Sequence, residues 1–206
     1  MRLRRTSNAG MLIELDNISI LLDGVAEEFP PYEGTPIAVR EELLSDCPDI
    51  VAFTHAHRDH CDMDFCRRYS ETTGRRVYNA DETVRENIGG IELLSVCTRH
   101  IGRADINHVS YVINGSKTLW FMGDASPIEM KKLAHFPSPD VIVVPYAYTI
   151  TESAWRSTTE VGADNIILLH LPLEENDTYN LRSMTADVTK GDKRLSIPEM
   201  GQIIKM

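Results

Sequence analysis

The sequence predicts an α/β (α+β) protein folded as a four-layer αββα sandwich, and three observations carry that expectation. Each half of the 206-residue chain opens with strand-like runs and then alternates strands with helices, an order that suits two sheets packed face to face with helices outside. The apolar runs have strand length and are bounded by turn-forming residues. Residues 51–60, VAFTHAHRDH, place a dense polar cluster directly beyond a buried-looking strand, and strand ends are where sheets carry their sites.

Taken in order, MLIEL and ISILLD read as two strands joined at Asp16-Asn17, a pair suited to a tight hairpin turn, with Asp23-Gly24 closing the second. TPIAVREELLSD follows as a helix, with Thr35 as cap and Pro36 in its first turn. DIVAFT is a buried strand, and 63–73 a helix ended by Gly74. RRVYN reads as a strand and DETVRENI as a short helix starting at Asp81. The second half begins with the strands IELLSVC, VSYVIN and KTLWFMG, the last two joined at Gly115-Ser116. Helix SPIEMKKLAHF, strand DVIVVPY, helix TESAWRSTTEVG and strand NIILLH complete the alternation. With no internal repeat, low-complexity tract or linker, residues 1–206 are expected to form one domain.

Composition narrows the function classes. A hydrophobic content of 42% with 25% charged residues belongs to a folded globular chain. The net charge of -10 opposes loose attraction to phosphate backbones, so a nucleic-acid partner is disfavoured and a small-molecule substrate expected. MRLRR could open a secretory signal, but Glu14 and Asp16 interrupt the apolar stretch after it. No apolar run approaches the ~20 residues of a membrane-spanning helix, so no membrane role is expected. Cys47, Cys61, Cys66 and Cys97 lack CxxC spacing and are expected to be reduced, which suits the cytoplasm. Cys61 follows His60 directly, yet a small thiol packed beneath a loop is its commoner fate. Nothing in the composition sets an oligomeric state.

The chemistry concentrates in THAHRDH. On extended backbone His55 and His57 point the same way, while Asp59 and His60 lie just beyond a turn and can face the same space from another side. Neutral imidazole and carboxylate are ligands that borderline divalent metals such as zinc prefer. Farther along, Asp124 in FMGDAS and His170 in LLHLP each follow a strand; alone, the first would pass for a helix cap and the second for a core histidine.

The order of these motifs resembles the metallo-β-lactamase superfamily, whose HxHxDH signature is matched by residues 55–60. The likeness extends from the paired N-terminal strands and Asp23 through WFMGDAS to IILLHLP. It implies the metallo-β-lactamase fold and two divalent metal ions, zinc first, with manganese or iron as alternatives. By similarity, His55, His57 and His100 hold one metal, Asp59, His60 and His170 the second, and Asp124 bridges them. The third motif is open, because TRHIGRADINHVSYVI contains both His100 and His108 and lacks the Gly-His-Thr form of many relatives. His100 is preferred because it ends a strand; His108 is then expected to line the pocket and contact substrate.

Two metals sharing a hydroxide imply hydrolysis, with Asp59 also orienting the water and passing a proton. Arg99 and Arg103 flank His100 and are candidates to bind an anionic substrate group. Tyr146, Tyr148 and Trp155 are candidates for a pocket wall, and core packing explains them equally well. The chain looks most like the compact branch that includes ascorbate-phosphate lactonases, which implies a small, anionic ester, lactone or phosphodiester. The alternatives are an RNA- or DNA-processing nuclease of the same superfamily and a non-catalytic metal-dependent binding protein. The absence of an insertion between Asp124 and His170 weighs against the nuclease.

Overall fold

The computed structural model describes residues 1–206. The first sheet is built from β1 (Arg2–Arg5), β2 (Met11–Leu15), β3 (Ile18–Leu22), β4 (Ile50–Ala52), β5 (Val77–Tyr78) and β13 (Ile203–Lys205), in the order β13-β1-β2-β3-β4-β5. The second contains β6 (Arg85–Ile88), β7 (Ile91–Cys97), β8 (Val109–Asn114), β9 (Thr118–Phe121), β10 (Val141–Pro145), β11 (Asn165–Leu169) and β12 (Leu195–Ser196), in reverse chain order from β12 to β6. Both are mixed: each hairpin-linked region is antiparallel, and the strands reached through helices, β4 and β5 in one sheet and β10, β11 and β12 in the other, pair parallel.

Strand alternation explains the layers. Ile13, Ile20, Leu22 and Ala52 of the first sheet meet Tyr111, Phe121, Val143 and Ile167 of the second in one buried interior. The intervening residues face outward: Leu21, Val51 and Phe53 pack beneath α1 (Ile37–Asp46) and α2 (Met63–Thr73), whose Leu43, Phe65 and Tyr69 close that side. Trp120, Ile142, Val144 and Leu168 face the other way, toward Trp155 of α3 (Glu152–Glu160) and half-buried Val188 of α4 (Leu181–Thr189). The αββα order follows from these three apolar clusters.

Local signals hold where they are strong. Asp16 and Asn17 both take positive φ, 50° and 65°, as a two-residue hairpin turn requires. Asp62 accepts from Phe65 N at 2.9 Å to cap α2, and Gly74 ends it in the left-handed conformation.

Several expectations are corrected. Residues 81–88 are not a helix: Gly89 and Gly90, with φ of 59° and 89°, turn the chain so that β6 pairs antiparallel with β7. SPIEMKKLAHF forms a 3-10 helix, Pro127–Lys132, rather than an α-helix. Its three-residue spacing sets Met130 and Leu133 together against the sheet. Pro36, not Thr35, occupies the N-cap position of α1, which has no side-chain cap; the Thr35 hydroxyl instead accepts from Ala26 N at 3.0 Å. MRLRR supplies β1, and β12, β13 and α4 add to the elements expected from sequence. No helix is long and apolar enough to cross a membrane.

Candidate metal centre

Each residue of the site hangs from the end of a strand at one rim of the sandwich. The chain leaves β4 and delivers His55, His57, Asp59 and His60 within one turn, closed by His60 N and Cys61 N donating to His57 O at 3.0 and 2.8 Å. From the facing sheet, β7 leads to His100, β9 to Asp124 and β11 to His170. Gly123 takes φ 53° and lies so close to Thr54 that a Cβ there would sit 2.6 Å from its Cγ2 and Oγ1. The two sheets therefore touch backbone to side chain at the rim.

Seven side chains expected from sequence to ligate metal converge there. Ligand atoms of His55, His57 and His100 form one group, those of Asp59, His60 and His170 another, each within 4.8 Å of one another. Asp124 Oδ2 lies between the groups, 3.5 Å from His60 Nε2 and from His170 Nε2 and 3.7 Å from His100 Nε2. Cys61 belongs to neither; its thiol faces Met63 and Cys66 sulfurs at 3.8 Å.

The surrounding hydrogen bonds fix which nitrogens are free. Buried Asp23 accepts from Thr54 N at 2.7 Å, Thr54 Oγ1 at 2.6 Å and His60 Nδ1 at 2.8 Å. Because Thr54 Oγ1 donates to Asp23, it accepts from His55 Nδ1 at 3.0 Å. His100 Nδ1 donates to Ile101 O at 2.6 Å. The Nε2 atoms of His55, His60 and His100 are thus left holding lone pairs aimed inward. Two nitrogen pairs, His55 Nε2 with His57 Nδ1 and His60 Nε2 with His170 Nε2, face each other at 3.0 Å and share at most one proton each. Buried His100 Nε2 and Asp124 Oδ1 have no protein partner. Inward lone pairs without donors are what a cation satisfies, so these residues fit divalent metal.

Charge states agree with that geometry. Burial, reinforced by the charge of neighbouring His60, pushes His55 far below the usual imidazole range, favouring its neutral, ligating form. Burial works against a charged His60, but Asp124 and Asp23 outweigh it and raise its affinity for a proton, which a metal must displace. Burial likewise works to raise the Asp59 carboxyl, and a hydrogen bond from His170 overcomes it and holds the group ionised.

The remaining candidates fall elsewhere. His108 is buried outside both ligand groups: its Nε2 accepts from Asp124 N at 3.0 Å, and its Nδ1 meets Thr98 Oγ1 at 2.8 Å. Both ring nitrogens are engaged by protein, so its placement is that of a support for Asp124, not of a group facing substrate. Arg99 is exposed, and exposed Arg103 spends its guanidinium on Asp105 at 2.9 and 2.8 Å. Tyr148 and Trp155 are buried in the outer cluster, whereas the Tyr146 ring lies 6.1 Å from that of His170.

Three contributors had no sequence signal of their own. The Tyr32 ring meets that of His170 edge-on at 4.2 Å. Burial first, then Tyr146, Asp124 and Asp59, push its hydroxyl above the ordinary phenol range, so it stays a donor. Asn8 brackets His170, its carbonyl accepting from His170 N at 3.1 Å and its amide lying 3.4 Å from Nδ1. Thr54 links Asp23 to His55 as described. His170 itself takes φ 64°, a left-handed backbone that a non-glycine residue keeps only when its surroundings enforce it.

Comparison with known proteins agrees on the architecture. No curated protein matches the sequence. A possible metal-dependent hydrolase from Veillonella parvula is 17% identical with a TM-score of 0.75, the match covering 100% of this chain and 99% of that one. An isothiocyanate hydrolase from Delia radicum gut bacteria is 15% identical with a TM-score of 0.75, again covering 100% and 99%. A metallo hydrolase from the archaeon Ignicoccus hospitalis is 17% identical with a TM-score of 0.70, covering 98% and 97%. At these identities the likeness is one of fold. Family rests on the sequence: residues 3–170, from β1 to the last histidine of the rim, match the beta-lactamase superfamily domain, and the chain belongs to that superfamily in its metallo-β-lactamase form.

Proposed function

We propose that this protein is a hydrolase that binds two divalent cations, zinc first, and cleaves a small ester, lactone or phosphodiester. The observation that carries the reading is a set of seven inward-facing side chains, six in two groups of three and Asp124 grouped with one member of each, His55 and His60. When bound, two such cations polarise a carbonyl or phosphoryl oxygen and lower the pKa of a shared water.

The chain supplies orientation and proton handling. Asp23, Thr54 and the Ile101 carbonyl hold three imidazoles in the ligating tautomer. His108 holds the Asp124 backbone. Asp59 keeps an ionised carboxylate at the rim, with Oδ2 3.2 Å from His170 Nε2, able to orient a water and carry its proton toward a leaving group. Tyr32 presents a protonated hydroxyl beside the carboxylates, suited to donating to an anionic oxygen.

The test is elemental analysis of protein purified without added metal, followed by a panel of p-nitrophenyl phosphodiesters, lactones, isothiocyanates and short RNA. Two equivalents of metal with turnover of a small substrate that is lost on chelation support the reading. RNA cleavage alone points to the nuclease alternative, which the charge of -10 opposes. Full loading with no turnover points to a binding protein.

A further inference from the structure

Beside the metal centre lies a cleft of about 500 Å³, one wall of which is His55 and His57. Phe53, Cys61, Met63, Cys66, Val77 and Ile106 form most of its apolar lining. Three of these carry sulfur: the Cys61 thiol lies 3.8 Å from both Met63 Sδ and Cys66 Sγ. Such a soft, polarisable surface favours aromatic rings. The polar lining consists of two amides, Asn79 and Asn107, and two acids, Asp81 and Asp105; no lysine or arginine lines the cleft. The arginines that adjoin lining residues in sequence are paired elsewhere, Arg58 with Glu27, Arg67 with Asp64 and Glu71, and Arg76 with Glu82, and Arg103 is committed to Asp105, while Asp81 accepts only from the neutral Asn107 amide at 3.0 Å. Away from the two histidines, an anionic group seated among these residues would leave water for a lining with no cationic side chain and with carboxylates at its edge.

We propose that this cleft binds the non-reacting part of the substrate, and that this part is an uncharged, predominantly apolar group, aromatic by preference, rather than the anion expected from Arg99 and Arg103. The inference deepens the hydrolytic reading and rests on it for the word substrate. The geometry favours it because the cleft ends on two ligand histidines, so a group seated among the sulfurs holds its attached ester or lactone at the metals. The volume falls in the range of small-molecule sites, about 300–1,000 Å³.

The experiment uses metal-loaded protein and the Cys66 thiol as reporter. Cys66 is half-buried in the cleft wall, and exposed Cys97, outside the lining, is an internal control. Iodoacetamide labelling, followed residue by residue by peptide mass, is measured with phenylbutanol or with phenylbutanesulfonate, which share an apolar body and differ in charge. Phenylbutanol is expected to slow labelling of Cys66 but not of Cys97, saturably and at a concentration about ten-fold lower than the sulfonate needs. Ile106→Asp should raise the phenylbutanol concentration required by about ten-fold, and Asp81→Lys, an exposed change, should bring the sulfonate level with the alcohol. Equal or better shielding by the sulfonate in the unaltered protein, or no shielding of Cys66 by either compound, overturns the proposal. Shielding by phenylbutanol without hydrolysis of any ester would retire the hydrolytic reading and leave the cleft's ligand class intact. Hydrolysis together with preference for the sulfonate would do the reverse.

Discussion

Asp59 and His108 both sit beside the centre, yet their contacts give them opposite duties, and variants should separate them. Asp59→Asn keeps the shape and removes the proton acceptor, so kcat should fall about a hundred-fold or more with KM changed far less. Near-normal turnover at matched metal content would refute that role. His100→Ala should lose metal, because His100 Nε2 faces the cluster without a protein partner; His108→Ala should retain more, because His108 lies outside both ligand groups. Bound metal counted per protein decides between them. His108 also predicts a pH dependence. Burial lowers it to about 3 from the ordinary 6.5, so protonation favours unfolding. Its contribution is fully present above pH 6.5 and is lost as pH falls toward about 3, at a slope of about 1.4 kcal/mol per pH unit. Urea unfolding of chelated protein at several pH values should show a shallower decline for His108→Asn than for the unaltered chain; parallel slopes would remove the argument. At this scale His55, His57, Asp59 and His60 were legible because these four of the seven side chains lie in one short stretch. Tyr32 and Asn8 were not, since the 138 and 162 positions separating them from His170 leave no local pattern to read.

The elements repeat that lesson in terms of range. The helix 63–73 is legible in the sequence with its observed bounds because its cap, Asp62, and its stop, Gly74, are local chemistry. DETVRENI misled because Asp81, Val84 and Ile88 imitate a capped amphipathic helix, whereas its partner β7 and the two-glycine turn decide for a strand. The 3-10 segment owes its place to contacts no periodicity encodes: Ser126 N donates to Arg99 O at 2.8 Å, and Glu129 accepts from Arg99 N at 3.1 Å. Where elements meet at the rim, Gly123→Ala adds a methyl 2.6 Å from Thr54 and demands positive φ of alanine. It should cost about 1–3 kcal/mol and weaken metal binding by tilting His55. Denaturant midpoints and metal titrations would check both; an unchanged metal affinity would show that Thr54 does not set the imidazole.

For the whole molecule, the division of ligands between the sheets has a consequence beyond chemistry. Four candidate ligands come from the loop after β4 and three from the ends of β7, β9 and β11, so metal held there would fasten one half to the other only at that edge. Chelation should therefore lower Tm, with about 2.7 kcal/mol lost for each ion whose free concentration was a hundred times its dissociation constant. Hydrogen exchange should quicken at residues 54–60, 98–101, 123–125 and 170, while the opposite ends of the same strands stay protected by the shared interior. The ions then act as rivets at the mouth of a clamshell whose hinge is greased with leucine and isoleucine. Stripped of them, the rim should loosen while the shared interior holds, so a shortage of metal is expected to silence the protein without unfolding it.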